Sequence, residues 1–497
     1  MLLIVLSTGV IRSQSSAEYL NNFQTIFINS FEKNLFHLSG NPALINVKPE
    51  DEVLSIKSSL SNVNGSFKPF SYPGEDRSYS LIATGEKRID SNQCFSGFFG
   101  FSKLERKNWN WFFNRDYHSD NPFLLGDSTY GGSRINGIVL NAAYANRLSE
   151  NMRVGLSLNY KVDEGLKTVS PRPTSQHRDI TVNAGVFYKI NQQTDIGLSA
   201  GFSDLNEEID YREDEGALTQ ETILLKFKGY DFPNIFRKKV ETRYSFTNDY
   251  NITGMLNYTL SNFRTTFIFH SGFLKNTIKD DALDPQSVGF WKDDYDELKI
   301  SSHYTTELVN FALAIHYSNQ SGWAKFPPTQ TLIYERKNTA TNFTGGIEHY
   351  FNSDNAVGIE AGVTFLSYKE NDHYSAVNAS ASPYELFVRA GGKIHSGLYF
   401  TLFPGCEYLK KTLKDSFLSQ SSQSSYFSNF RQLDVLYKLT DYSLYKIFLL
   451  TEITNVFDGS LFVYSDYTLV KPLSTSSFGK SYRNYFELIL DYRININ

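Results

Sequence analysis

The chain has 497 residues, a net charge of −5, 15% aromatic residues and a mean hydropathy of −0.35. That acidic balance excludes the basic face a nucleic-acid partner needs, and beyond residue 11 no run approaches the roughly 18 apolar residues of a membrane-crossing helix. An ordinary soluble protein has little use for 40 Phe and 32 Tyr, whereas a membrane β-barrel places such rings in girdles at both interfaces while its lumen and loops stay polar.

The N-terminus opens on an apolar run, Met1 to Leu6 and on to Ile11, followed by Arg12-Ser13-Gln14-Ser15-Ser16. This has the length of a signal-peptide core with a small, polar cleavage region, although no Lys or Arg precedes it. Residues 1–15 are therefore expected to be a signal peptide. Residues 16–48 differ in kind: Phe23, Ile26, Phe27, Phe31, Leu35, Phe36 and Leu38 follow no strict alternation, and Gly40-Asn41-Pro42-Ala43 ends the segment. Pro and Gly there rule out a strand interior. The expectation is a short helix and turn that enter the barrel mouth as a plug, or stay as a periplasmic segment.

From residue 49 to 497 the dominant signal is period two. Val154, Leu156, Leu158 and Tyr160 alternate with Gly155, Ser157 and Asn159. The pattern returns at 180–190, 196–203, 311–317, 357–365, 384–390 and, with Ile489 as the exception, 486–494. Successive strand side chains point to opposite faces, so each segment carries one apolar and one polar face. The polar face is rich in Gly, Ser, Thr and Asn, as suits a lumen. About 18–20 strands are counted, with 14–16 possible, in an all-β, closed antiparallel transmembrane barrel. Short connections such as 148–151, 191–193, 261–262 and 396–397 alternate with long ones at about 106–133, 164–177, 205–219, 272–294 and 411–430. Short periplasmic turns and long outer loops are the barrel rule, which puts the N-terminus in the periplasm.

Three groups of residues invite a chemical reading. The loop 106–133 holds Trp109, Trp111, Phe112, Phe113, Tyr117, His118 and Phe123, an aromatic set suited to a ligand or partner, to an interface girdle, or to closing the mouth. Acidic residues crowd 204–215 and 280–297, yet their spacing matches no calcium loop; a solvated surface bridged to lipopolysaccharide is expected. The histidines are scattered, His270 and His316 on strands where either could face the lumen, and no Gly-x-Ser-x-Gly, His-Glu-x-x-His or Walker pattern occurs. Cys94 and Cys406 are either two free thiols, the favoured reading, or one long-range bridge, since spacing alone does not establish a disulfide.

Gly40-Asn41-Pro42-Ala43-Leu44, ahead of the first strand, resembles the Asn-Pro-Ala element of the FadL-type outer-membrane transporters of hydrophobic solutes. In that family the element lies in an N-terminal hatch that plugs the barrel, and the barrel has fourteen strands, fewer than counted here. With Phe227-Lys228-Gly229-Tyr230-Asp231-Phe232-Pro233 and the layout of leader, Gly-Asn-Pro-Ala and barrel, the whole chain more closely resembles the uncharacterised outer-membrane β-barrel family of the Bacteroidota. The resemblance implies a fold and a place and no activity.

The sequence thus predicts a plugged, porin-like barrel in the outer membrane of a Gram-negative bacterium. Its expected role is solute passage, or that of an accessory subunit beside another outer-membrane transporter, an assembly barrel or a surface lipoprotein; FadL-like hydrophobic transport and a rim hydrolase are the alternatives. No enzyme activity, cofactor or metal is expected. Its surroundings are outer-membrane lipid and lipopolysaccharide. The residues assigned to ligand or plug are Asn41, Pro42, Ala43, Trp109, Trp111, Phe112, Phe113 and Tyr117.

Overall fold

A computed structural model describes residues 34–45, 52–115, 121–169, 172–212, 222–230, 234–238, 240–281, 283–352, 355–397, 399–420, 432–473, 478 and 481–495. The signal expected at 1–15, most of the segment 16–48, and Tyr117 and His118 lie outside them.

Twenty strands follow in chain order: β1 (Val53–Gly65), β2 (Glu75–Arg88), β3 (Gln93–Phe112), β4 (Leu125–Arg147), β5 (Met152–Lys167), β6 (Thr174–Lys189), β7 (Thr194–Arg212), β8 (Thr222–Lys226), β9 (Asn234–Lys238), β10 (Val240–Leu260), β11 (Phe263–Asp280), β12 (Gln286–Thr305), β13 (Val309–Phe326), β14 (Thr331–Tyr350), β15 (Ala356–Asp372), β16 (Val377–Ser396), β17 (Phe400–Gln420), β18 (Tyr442–Val456), β19 (Gly459–Pro472) and β20 (Arg483–Asn495). Helix α1 (Leu35–Ser39) and a 3-10 turn (Pro42–Leu44) precede the sheet, and helix α2 (Gln432–Lys438) lies between β17 and β18. Each strand pairs antiparallel with its chain neighbour except at β8 and β9, which form a hairpin while β7 pairs directly with β10. The remaining eighteen strands close on themselves where β1 pairs with β20, Leu60 opposite Leu488 and Ile56 opposite Tyr492.

The alternation is spent on two environments. On β5, Val154, Leu156, Leu158, Tyr160 and Val162 face outward and Glu164 interrupts the apolar series before Leu166, while Gly155, Ser157, Asn159, Lys161 and Asp163 face the lumen. The same outward apolar belt passes through Leu81, Phe99, Ile252, Phe269, Ile359 and Leu490, all large and exposed. Leu313 is 67% exposed. A continuous apolar band of this kind is a lipid-facing surface, because soluble monomers keep contiguous apolar patches small. Cys94 has lumen parity on β3 and Cys406 is exposed on the outer face of β17, so the two thiols are free and point to opposite sides of the wall.

Most of the long loops expected from composition are strand. Residues 106–112 and 125–133 belong to β3 and β4, 205–212 to β7, 272–280 and 286–294 to β11 and β12, and 411–420 to β17. Beyond the belt the outward positions turn polar and the apolar alternation fades, but backbone pairing continues. The acidic residues expected on solvated loops therefore lie partly on these extensions, and several point inward: Asp280 is held by Arg243 through Nε–Oδ1 2.7 Å and Nη2–Oδ2 2.9 Å, and Asp293 by Arg336 at 2.7 Å.

The belt makes a direct prediction. Leu313→Lys should destabilise the barrel in lipid vesicles by about 2–4 kcal/mol, the cost of a lysine near the bilayer midplane. On a water-exposed surface the same change would stay within about 0.5 kcal/mol. Denaturant midpoints of the vesicle-embedded protein distinguish the two.

Candidate functional site

Short chain segments enter the lumen near both of its ends. At the end that carries the short turns, α1 is capped by Asn34, whose side chain accepts from Phe36 N, and stops at Gly40 with φ 67°. Asn41 then starts the 3-10 turn: its Oδ1 accepts from Ala43 N at 3.0 Å, and Pro42 occupies the first turn position, where its missing N–H costs nothing. The other half of the Asn41 amide grips the wall, Nδ2 donating to Val186 O at 3.1 Å and Leu198 O at 3.3 Å. Asn41 is 1% exposed and Ala43 fully buried.

The wall accepts this segment because three lumen-facing positions on β5, β6 and β7 are glycine. A Cβ on Gly155 would run into the Pro42–Ala43 backbone, one on Gly185 into the Asn41 side chain, and one on Gly197 would come 3.1 Å from Asn41 Nδ2. Leu44 packs on Met255 and Ile268, and Ile45 on Ala143 and Ala145. The sequence located the Asn-Pro-Ala element but not its cradle; three glycines on the polar face of strands near one another carried that signal.

At the opposite end four pieces converge. β3 has the wrong parity to send Trp109 inward, and a bulge between Arg106 and Trp109 corrects it: Trp109 pairs with lumen-facing Gly131, next to Asn108 at φ 52°. Trp109 is 2% exposed, Phe112 and Phe113 are buried, and Trp111 stands edge-on to Phe70 at 5.1 Å. Of the aromatic residues of this loop, Trp109, Trp111, Phe112 and Phe113 thus lie inside the mouth. The indole Nε1 of Trp109 donates to Ser71 O at 2.8 Å, and Ser71 N donates to Asp434 of α2 at 3.1 Å. The β8–β9 hairpin reaches across the opening to pair with β4, Asp127 opposite Leu224, and sets Phe227 5.2 Å from Phe112. The result is an aromatic cap, with Phe67 packed on Tyr437 and Phe478 at its edge.

Ion pairs moor the cap to the wall. Lys226 of the hairpin bridges Glu241 (2.7 Å) and Asp280 (2.8 Å). Arg115 reaches Asp163 at 2.6 Å, and its backbone N donates to Glu207 at 2.7 Å. Its guanidinium lies against His177, whose Nε2 is 2.9 Å from Asp179. Lys438 of α2 pairs with Glu370, which also accepts from the Tyr230 hydroxyl at 2.7 Å. His177 lies beyond the apolar belt, level with outward Arg178 and Glu164. Burial opposes its charge, yet the hydrogen bonds to Asp163 and Asp179 outweigh both burial and the Arg115 repulsion, so its pKa is raised to about 9.

Between residues 34–45 and the cap the register builds two rows. One runs across β15 to β19, Glu360–Arg389–Glu407–Lys446–Asp466, with alternating charge: 3.4 Å and 2.6 Å from Arg389 to its two carboxylates, 3.0 Å from Lys446 to Asp466. No local motif announces it, since each member comes from a different strand. The other brings the two strand histidines to one carboxylate: Thr253 shares a hydrogen bond with His270 at 2.7 Å, His270 stands opposite Glu297, and His316 lies 3.7 Å from Glu297. Thr253 is 6% exposed, so its hydroxyl serves the ring rather than a substrate.

The model of a family of unknown function, DUF6850, matches residues 42–493. No curated protein matches the sequence. Among solved structures the chain is similar to the outer membrane transporter YddB from Escherichia coli (7% identity, 90% of this chain and 81% of that one, TM-score 0.41). It is similar also to the siderophore receptor PiuA from Acinetobacter baumannii (8%, 92% and 85%, 0.39) and to the CymD monoaromatic hydrocarbon channel (9%, 91% and 91%, 0.31).

Two outcomes follow from the geometry. Gly155→Ala and Asn41→Ala should each release residues 34–45 to added protease while the strands stay resistant; equal protection in wild type and both variants would contradict the cradle. The mooring at His177 should be fully present below about pH 6.5, the ordinary histidine value, and weaken as pH rises through about 9. Amide exchange of residues 109–115 should accelerate over that range in the wild type and show no such step in His177→Gln.

Proposed function

The chain belongs to the family of unknown function DUF6850, and from that premise we propose that it acts as a normally shut outer-membrane β-barrel of a Gram-negative bacterium of the Bacteroidota. In this reading its N-terminus is periplasmic, residues 1–15 are a signal peptide, and residues 16–48 form the plug. An eighteen-stranded barrel is wide enough for an aqueous channel, so something must keep it from leaking. The observation that carries the reading is the double obstruction: Asn41-Pro42-Ala43 seated on the glycine wall at one end and the Trp109–Phe112–Phe227 cap at the other.

Passage of a solute then requires the cap or the plug to be displaced. The ion pairs at Lys226 and Arg115 are the points at which a partner, another outer-membrane transporter or a surface lipoprotein, would act. Planar-bilayer recording tests this. Wild type should show no stable open level, and removal of residues 34–45 combined with Lys226→Ala and Arg115→Ala should produce one. A wild-type barrel that conducts steadily would overturn the reading.

A second reading, passage of a hydrophobic solute, is favoured by the apolar composition of the cap around Trp109, Trp111 and Phe112. A brominated fatty acid should quench the emission of these tryptophans at concentrations where a brominated sugar does not.

A further inference from the structure

The lipid-facing wall has a gap where β2 meets β3. Gly85 and Gly97 are directly opposed in the register and share the outward parity of Leu81, Phe95 and Phe99. Two neighbouring side chains are therefore missing from the belt, leaving a groove floored by the glycines and walled by Ala83, Phe95 and Phe99, with Lys87 at one end. A Cβ placed on Gly85 would meet nothing within 4 Å. A Cβ on Gly97 would instead meet Asn141 O at 2.7 Å and the Phe95 ring at 3.3 Å, so the groove is open over Gly85 and bounded by the Phe95 ring over Gly97.

Two facts say what fills it. The surrounding surface is the apolar belt, so the medium against the groove is hydrocarbon, and a void there would forfeit dispersion contacts along its walls. Lys87 is exposed and stands two residues before Ile89, where β2 gives way to a short turn, at the depth where headgroups replace acyl chains. An ammonium at that level attracts an anionic headgroup. Apolar walls below and one cation at the rim match a phospholipid: a chain to lie in the groove, a phosphate to meet the charge.

We propose that the Gly85–Gly97 groove is a binding site for one phospholipid of the periplasmic leaflet, its acyl chain over Gly85 against Phe95 and Phe99 and its phosphate on Lys87. The proposal rests on the outer-membrane reading with short turns facing the periplasm. It is tested by reconstituting the full barrel in phosphatidylethanolamine and phosphatidylglycerol, exchanging it into detergent, and measuring retained phospholipid by native mass spectrometry. Gly85→Trp fills the groove, and Lys87→Gln removes the cation. Ala361→Trp, on the lipid-facing side of β15, is the control, and heat-modifiable migration shows that each barrel is folded. Wild type and Ala361→Trp should retain phospholipid, Gly85→Trp should lose most of it, and Lys87→Gln should lose the preference for phosphatidylglycerol. Equal retention by all the folded barrels would overturn the site. So would a dimer that Gly85→Trp converts to a monomer, since the groove would then be a contact between copies. A wild type that fails to enter the bilayer at all would sink the outer-membrane reading together with the site.

Discussion

The whole molecule depends on the pairing of β1 with β20. In hydrocarbon an unpaired backbone N–H or C=O costs several kcal/mol, so a sheet can cross a membrane only if it has no edge. Thirteen residue pairs, from Val53–Asn495 to Gly65–Arg483, join the last strand to the first. Once the ring is closed, the parity of every strand is fixed: one slip would exchange the belt residue Leu490 with the lumen residue Asp491. Closure also keeps the number of barrel strands even, which brings the start of β1 and the end of β20 to the same side.

What the lumen contains follows from departures from that parity and from missing side chains. The bulge at Arg106–Trp109 turns a residue of outward parity inward, and so recruits an aromatic loop into the mouth. The glycines at 155, 185 and 197 remove three lumen side chains and let a backbone segment lie directly on the wall. The carboxylates of the mooring pairs are buried while Arg115, Lys226 and Lys438 are partly exposed, so the stringency lies with the carboxylates, each costly without its partner. The pairs specify where the loops sit more than they add to the stability of the barrel itself, which resides in the ladders.

The barrel was legible because its signal is local and repeated: alternation on β5, β6, β13 and β15 names both faces without knowledge of the partners. The Asn-Pro-Ala element was legible for a similar reason, as Asn and Pro have fixed roles at the start of a turn. The extent of the strands was not, because above the belt both faces meet polar surroundings and residues 272–280 and 286–294 cease to alternate although they remain paired. Nor was the inward turn of Trp109, which depends on one extra residue in a bulge. The rows Glu360–Asp466 and Thr253–His316 were invisible for a different reason. They are products of register, assembled from strands that lie up to about a hundred residues apart in the chain, and only closure tells which rung meets which.

The claim on which everything else stands is that alternate residues of one continuous wall meet lipid and water-facing lumen in turn. Single spin labels placed at each position from 357 to 365 on β15, in vesicles, test it most directly. The structure predicts that labels at 357, 359, 361, 363 and 365 are relaxed by oxygen and shielded from a water-soluble nickel reagent, with the intervening positions shielded from oxygen. Oxygen accessibility without a two-residue period, or nickel reaching the odd-numbered positions, would contradict a membrane-spanning barrel.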